Sequence, residues 1–241
     1  MARRERGAPR EPGICRLNRV PISECGEELV DIRQFCRGIR VKANPSLLRR
    51  SAAEMLQRAQ DSLPEGYFLQ AHTCLRTYEM QSNGYFKHLE SLRENHPEWP
   101  LSVLRREANR FWHPPDSKAP PGHCTGGAVD VTLVNAEGGA YDIKSTRREG
   151  IDANPTYVLG LTPEAQANRR ILIDAMSGAG FSNCADEFWH WSYGDNGWAA
   201  RLGMAEALFD AITVSPEVIA AATVEPPKES TPENERDQAE A

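Results

Sequence analysis

The sequence predicts an α+β fold, a small antiparallel sheet packed against helices. Three observations carry that expectation. Helical patterns fall mostly before the strand patterns, whereas a doubly wound sheet would alternate the two. Residues 127–134 alternate as a strand should, with Val129, Val131 and Leu133 on one face and Ala128, Asp130 and Thr132 on the other. The composition, 40% hydrophobic and 26% charged over 241 residues, is that of one globular domain with or without tails.

Each element has a local reason. Asn44-Pro45-Ser46 reads as a helix start, and helix formers continue through residues 47–63. A Pro64-Glu65-Gly66 turn precedes the aromatic and apolar run of residues 67–75, which reads as a strand. Residues 77–94 and 101–112 read as helices parted by Asn95 and Pro97, and Pro114, Pro115, Pro120 and Pro121 mark an extended loop. Thr162-Pro163-Glu164 supplies an N-cap and a first-turn proline for a helix that Gly178 and Gly180 close. Residues 187–193 read as a short aromatic strand. Residues 1–13 read as a flexible arm and residues 14–214 as the globular domain. Residues 223–241, with three prolines and six acidic residues, read as a disordered tail.

The charge balance narrows the function classes. A net charge of -6 leaves no basic footprint for nucleic acid. No apolar run approaches a membrane span, so no membrane partner is expected. The basic N-terminal residues are followed by no apolar signal core, which makes the cytoplasm the expected compartment. Six cysteines include no C-x-x-C pair, so a zinc ribbon is not indicated, and a reducing compartment would keep them as free thiols.

The chemistry concentrates in two distant segments. The first is His123-Cys124-Thr125-Gly126-Gly127-Ala128-Val129-Asp130; the second is Glu187-Phe188-Trp189-His190-Trp191. Together they offer two imidazoles and a carboxylate, His123, His190 and Asp130, with Glu187 to spare. Three protein ligands with an open fourth position are what a catalytic zinc needs, and a non-ligand Glu beside them can act as base on the bound water. Asp130 lies inside an apolar strand, where Asp is disfavoured without a reason. Gly126 and Gly127 allow a sharp turn beside His123. Glu187 belongs at the irregular entry to its strand, with Trp189 and Trp191 as a hydrophobic wall that would raise its pKa. Arg76 ends the strand of residues 67–75, where a guanidinium can face a developing oxyanion. A Cys124–His123 dyad is disfavoured because adjacent extended residues point apart. His72, His88, His96 and His113 read as solvated or hydrogen-bonded, and Trp99, Trp112 and Trp198 as core.

With Arg76 upstream, these two segments resemble the D-alanyl-D-alanine dipeptidases. That family belongs to a wider group of zinc peptidases that also contains D,D-carboxypeptidases and the hedgehog signalling domain. The resemblance runs from about residue 31 to about residue 201. It implies one zinc per chain held by His123, Asp130 and His190, Glu187 as catalytic base and Arg76 as transition-state stabiliser. It further implies a small dipeptide substrate whose free amine an Asp holds, and Glu137-Gly138-Gly139-Ala140-Tyr141-Asp142 occupies the matching place, making Asp142 the candidate. Three positions around His123 and Arg76 depart from the family pattern. Pro121 stands where a Ser is usual, and Leu75 and Thr77 flank Arg76 where Tyr and Pro are common. The expected activity is hydrolysis of D-Ala-D-Ala or a similar free dipeptide. The rivals are a D,D-carboxypeptidase or peptidoglycan peptidase, and a zinc-binding interaction domain without activity. The sequence leaves the oligomeric state open.

Overall fold

Alternation along one strand decides where the two sides of the molecule lie. The computed structural model describes residues 5–223. In chain order they form α1 (Ile14–Leu17), β1 (Leu29–Asp31), α2 (Ile32–Phe35), β2 (Arg40–Val41), β3 (Leu47–Arg49), α3 (Arg50–Asp61), β4 (Phe68–Thr73) and α4 (Tyr78–Asn95). They continue with α5 (Leu101–Ala108), a 3₁₀ turn at Gly122–Thr125, β5 (Ala128–Val134), α6 (Pro163–Gly178), β6 (Ser182–Asn183), β7 (His190–Ser192), α7 (Asn196–Leu202) and α8 (Pro216–Ala221).

The fold is α+β. One sheet runs in the order β2-β4-β5-β7-β6, antiparallel throughout except for the parallel β2–β4 edge pair, and β1 pairs antiparallel with β3. On β5, Val129, Val131 and Leu133 are wholly buried. They pack in one core with Ala52, Ala53 and Leu56 of α3, Leu172 and Met176 of α6, and Trp191 of β7. Burying a large apolar side chain of this kind contributes about 1.5–3 kcal/mol relative to leaving it in water. Asp130 and Thr132 point the other way and are only partly buried. The expected parity of this strand therefore holds, and its polar face is left for chemistry. No helix among the described residues is long and apolar enough to cross a membrane.

Several boundaries differ from the expected ones. The helix expected over residues 47–63 begins at Arg50, because residues 47–49 pair with β1, Leu48 opposite Val30. The helix expected over 101–112 stops at Ala108, and the chain turns there to carry Trp112 elsewhere. The strand expected over 187–193 is confined to residues 190–192, and residues 187–189 make a turn instead. The folded part of the chain does not end at residue 214. Ser215 caps α8, and Ala222 beyond it is buried against Leu47 and Leu75, its carbonyl accepting from the Ser46 N–H at 3.2 Å. The expected disordered tail falls, apart from Thr223, outside the described residues.

The arm expected over residues 1–13 is docked where it is described. Glu11 accepts from Arg201 Nη2 at 2.7 Å and from the Ala185 N–H at 2.8 Å. Beyond it, Arg16 donates to the Ala200 carbonyl, and Asn18 accepts from Ala119 N–H. The opening segment thus bonds to α7 on one side and to the proline-rich loop on the other.

Candidate metal centre

The polar face of the sheet carries two of the sequence-predicted ligands by register alone. Asp130 of β5 stands opposite His190 of β7, and Asp130 Oδ1 lies 3.1 Å from His190 Nδ1. His123 arrives from the 3₁₀ turn just before β5, with its Nε2 3.3 Å from the same Oδ1. Gly126 makes that arrival possible by closing the turn at φ +75°. A Cβ on Gly127 would strike the Tyr193 carbonyl, so only glycine lets β5 begin this close to β7.

The ligand atoms of His123, Asp130 and His190 lie within 4.8 Å of one another. Two donors each bound to zinc at ~2.0–2.1 Å in tetrahedral geometry stand about 3.3 Å apart, and the two Asp130 contacts are of that size. Donation from His123 Nδ1 to the Cys74 carbonyl at 2.8 Å leaves Nε2 with its lone pair toward Asp130, the orientation that carbonyl-anchored metal histidines use. Burial pushes the His123 imidazole toward its neutral, metal-binding form, against the attraction of Asp130. Burial alone would raise Asp130, but the two imidazoles outweigh it and hold the carboxyl well below its usual range. His190 is also pushed down by burial, yet the hydrogen bond to Asp130 and the pull of Asp130 and Glu187 raise it overall. Acidic surroundings that favour a proton there also favour a cation among the three side chains. The donor set fits a zinc ion.

Glu187 lies in the turn leading into β7, as expected for a carboxylate three residues before its histidine. The His190 N–H donates to the Glu187 carbonyl at 3.1 Å, and Asn183 Nδ2 holds the turn by donating to the carbonyls of Glu187, Phe188 and His190. Burial is the main force raising the Glu187 carboxyl above its ordinary value, as expected. The aromatic wall is half of what was expected. Trp189 lines the cleft, whereas Trp191 projects to the opposite face and lies in the core. Arg169 of α6 supports this region from behind. Its guanidinium donates to the carbonyls of Ile143, Ala153, Pro155 and Thr156 and stacks 4.2 Å from the Phe188 ring centroid. Burial pushes Arg169 down to about 10.

A cleft of about 880 Å³ joins these parts, lined by His123, Asp130, Glu187 and His190 together with Arg76. Residues 88–207 match the family model described as D-ala-D-ala dipeptidase. The chain belongs to that peptidase family. Among curated members, the D-alanyl-D-alanine dipeptidase of Synechocystis sp. is 31% identical over 109 residues, covering 40% of this chain and 44% of that one. The D-alanyl-D-alanine dipeptidase of Escherichia coli is 34% identical over 68 residues, covering 28% of this chain and 35% of its own. The matches thus span less than half of either relative's length. Solved structures with a similar chain path include a vancomycin-resistance D,D-pentapeptidase in complex with Zn(II), 17% identical with a TM-score of 0.44 over 78% of this chain and 90% of that one. Another is an LD-carboxypeptidase, 19% identical with a TM-score of 0.42 over 76% and 74% of the two chains.

The dipeptidase match contains His123, Asp130, Glu187 and His190, while Arg76 precedes it and is brought to the same cleft by the fold. Asp142 is not. It is absent from the cleft lining, and its carboxylate accepts instead from the N–H groups of Lys144 and Ser145, closing a loop turn. An Asx turn satisfies that carboxylate locally, which explains an Asp at this place without a ligand. Cys124 is buried, and burial raises its thiol to about 12, so no nucleophile stands beside His123. His113 Nε2 donates to the Ala119 carbonyl and His72 Nε2 pairs with the Thr132 hydroxyl, both as hydrogen-bonded residues. Trp198 is core, but Trp112 lines the cleft. Sequence reasoning missed Glu11, Gln81 and Trp112 as cleft residues. Each is identified by a tertiary partner far along the chain rather than by any local pattern.

Proposed function

We propose that the chain is a zinc-dependent peptidase that hydrolyses D-Ala-D-Ala or a similar free dipeptide. One observation carries this reading: three ligand-type side chains converge within 4.8 Å in a cleft also lined by a raised-pKa carboxyl and a guanidinium. The names of the curated relatives support the substrate class.

His123, Asp130 and His190 would hold one zinc ion per chain. Bound there, zinc supplies Lewis-acid polarisation and lowers the pKa of water. Glu187 takes the proton from the attacking water and passes it to the leaving amine, which a carboxyl raised by burial does better at neutral pH than an ordinary one. Arg76 presents N–H donors to the carbonyl oxygen as it gains charge. Glu11 pairs with Arg201 at the edge of the same cleft and so leaves Glu187 as the unneutralised carboxylate facing His190. Six free thiols, two of them exposed, support a reducing compartment such as the cytoplasm.

Two observations favour a second reading, a D,D-carboxypeptidase acting on longer peptides. A cleft of about 880 Å³ is at the upper end of ~300–1,000 Å³ sites that bury drug-sized ligands, and a dipeptide would fill only part of it. Asp142, which the free-amine preference required, is turned into its own loop. The deciding experiment compares kcat/KM of the zinc-loaded protein on D-Ala-D-Ala, its N-acetyl form, and L,D- and L,L-dipeptides. Preference for the free D,D-dipeptide supports the first reading, and equal or better cleavage of the N-acetyl form supports the second. No cleavage of any D,D substrate would overturn both and leave a binding domain.

A further inference from the structure

One wall of the cleft is built around Arg76, and two elements grip its side chain. Gln81, on α4, accepts from Arg76 Nη1 at 2.8 Å. Gln81 is 1% exposed, and its own Nε2 donates to the His113 carbonyl at 2.8 Å, so the amide is fixed at both ends. Trp112, in the turn after α5, lies beneath the guanidinium with Arg76 Cζ 4.8 Å from its ring centroid. A Cβ on Gly84, three residues beyond Gln81 on the same helix face, would collide with that ring, so the glycine seats the indole against α4. The Arg76 N–H donates to the His123 carbonyl at 3.0 Å, which ties this assembly to the ligand turn. Among the described residues, Arg76 Nε and Nη2 have no protein acceptor.

We propose that Gln81 and Trp112 are positioning residues for Arg76. An arginine stem has many rotamers, and a donor that must swing into place at the moment of reaction stabilises charge less than one already aimed. The indole face confines the guanidinium to one plane, and the Gln81 hydrogen bond fixes its rotation within that plane. The acceptor is a neutral amide rather than a carboxylate, so the positive charge of Arg76 stays available to the substrate oxygen. This inference rests on the reading of Arg76 as the transition-state donor.

The test is a set of double-mutant cycles on the full zinc-loaded chain, using whichever of D-Ala-D-Ala and its N-acetyl form the native protein cleaves. Arg76→Ala should lower kcat about 10²- to 10³-fold. Gln81→Leu and Trp112→Leu should each lower kcat about 10-fold, with zinc content and KM within about twofold of native. Trp112→Phe, which keeps an aromatic face, should restore most of the loss. In an Arg76→Ala background, Gln81→Leu and Trp112→Leu should cost nothing further. Losses of equal size with and without Arg76 would overturn the positioning role while leaving Arg76 its own. A native-like Arg76→Ala would instead remove the role assigned to Arg76, and this inference with it. If Gln81→Leu does not fold, the Trp112→Leu and Trp112→Phe pair makes the same comparison.

Discussion

Asp130 and His190 face each other across the antiparallel pair of β5 and β7, with Oδ1 and Nδ1 3.1 Å apart. A slip of one residue in that pairing would carry His190 to the core face and bring Trp191 into the cleft. The buried Trp191 therefore protects the metal geometry from the opposite side of the sheet, because only one register buries it.

The native protein should hold one zinc per chain after dialysis, and His123→Ala and His190→Ala should hold far less. Metal analysis by mass spectrometry checks this directly. Zinc at 100 times its dissociation constant should stabilise the native chain by about 2.7 kcal/mol, or roughly 5–10 °C in Tm. Equal zinc content in all three proteins would sink the ligand assignment.

Glu187→Gln should keep its zinc and its Tm while turnover falls about 10²- to 10⁴-fold. The carboxylate is not among the converging ligand atoms, so the loss should appear in kcat and not in metal content. Near-native turnover would mean that another group moves the proton.

Glu11 should give the acid limb of the stability profile. Burial pushes its carboxyl upward, but the attraction and hydrogen bonds of Arg201, with the Ala185 N–H, outweigh burial and hold it below its ordinary value. His190 also pulls it down. A folded pKa below the unfolded one means that the stabilisation is present above about pH 4.3 and is lost as pH falls through the lowered folded value. Melting curves of native and Glu11→Gln proteins should differ by about 3–8 °C near pH 7 and converge as pH falls through the lowered folded value. A gap that does not change with pH would show that the pair is not linked to folding.

A chain ending at Thr223 should melt as the full chain does, because the removed residues are acidic, rich in proline and poor in apolar groups. A chain ending at Val214 should lose Tm by several degrees, since Ala222 and Ile219 cover Leu47 and Leu75. Thermal unfolding of the two truncations side by side separates the cases, and equal Tm values would show that α8 contributes nothing.

How much of this was legible in the sequence follows from the range of each interaction. The parity of residues 128–134 and the N-cap at Thr162 are local, and both stand as expected. The two metal-site segments were recognisable because each keeps its chemistry within a few residues. Helix propensity over residues 47–49 lost to pairing with β1, an interaction that local pattern does not contain. Asp142 was expected from the family resemblance alone, and a loop turn claims its carboxylate. Trp112 carries no local signal because it reaches Arg76 only through the fold, and Gln81, though five residues from Arg76, belongs to no motif that marks it.

The bond between Glu11 and Arg201 joins positions 190 residues apart, and Ser23 and Ala207 are joined by a backbone bond nearby. Two segments far apart in sequence are therefore fastened together at the lip of the candidate cleft. During synthesis the opening segment emerges first and waits for α7, which comes long after β5. His190 appears equally late. A nascent chain that has not reached residue 190 thus carries two of the three candidate ligands, and one side of the cleft stays unfastened until α7 follows.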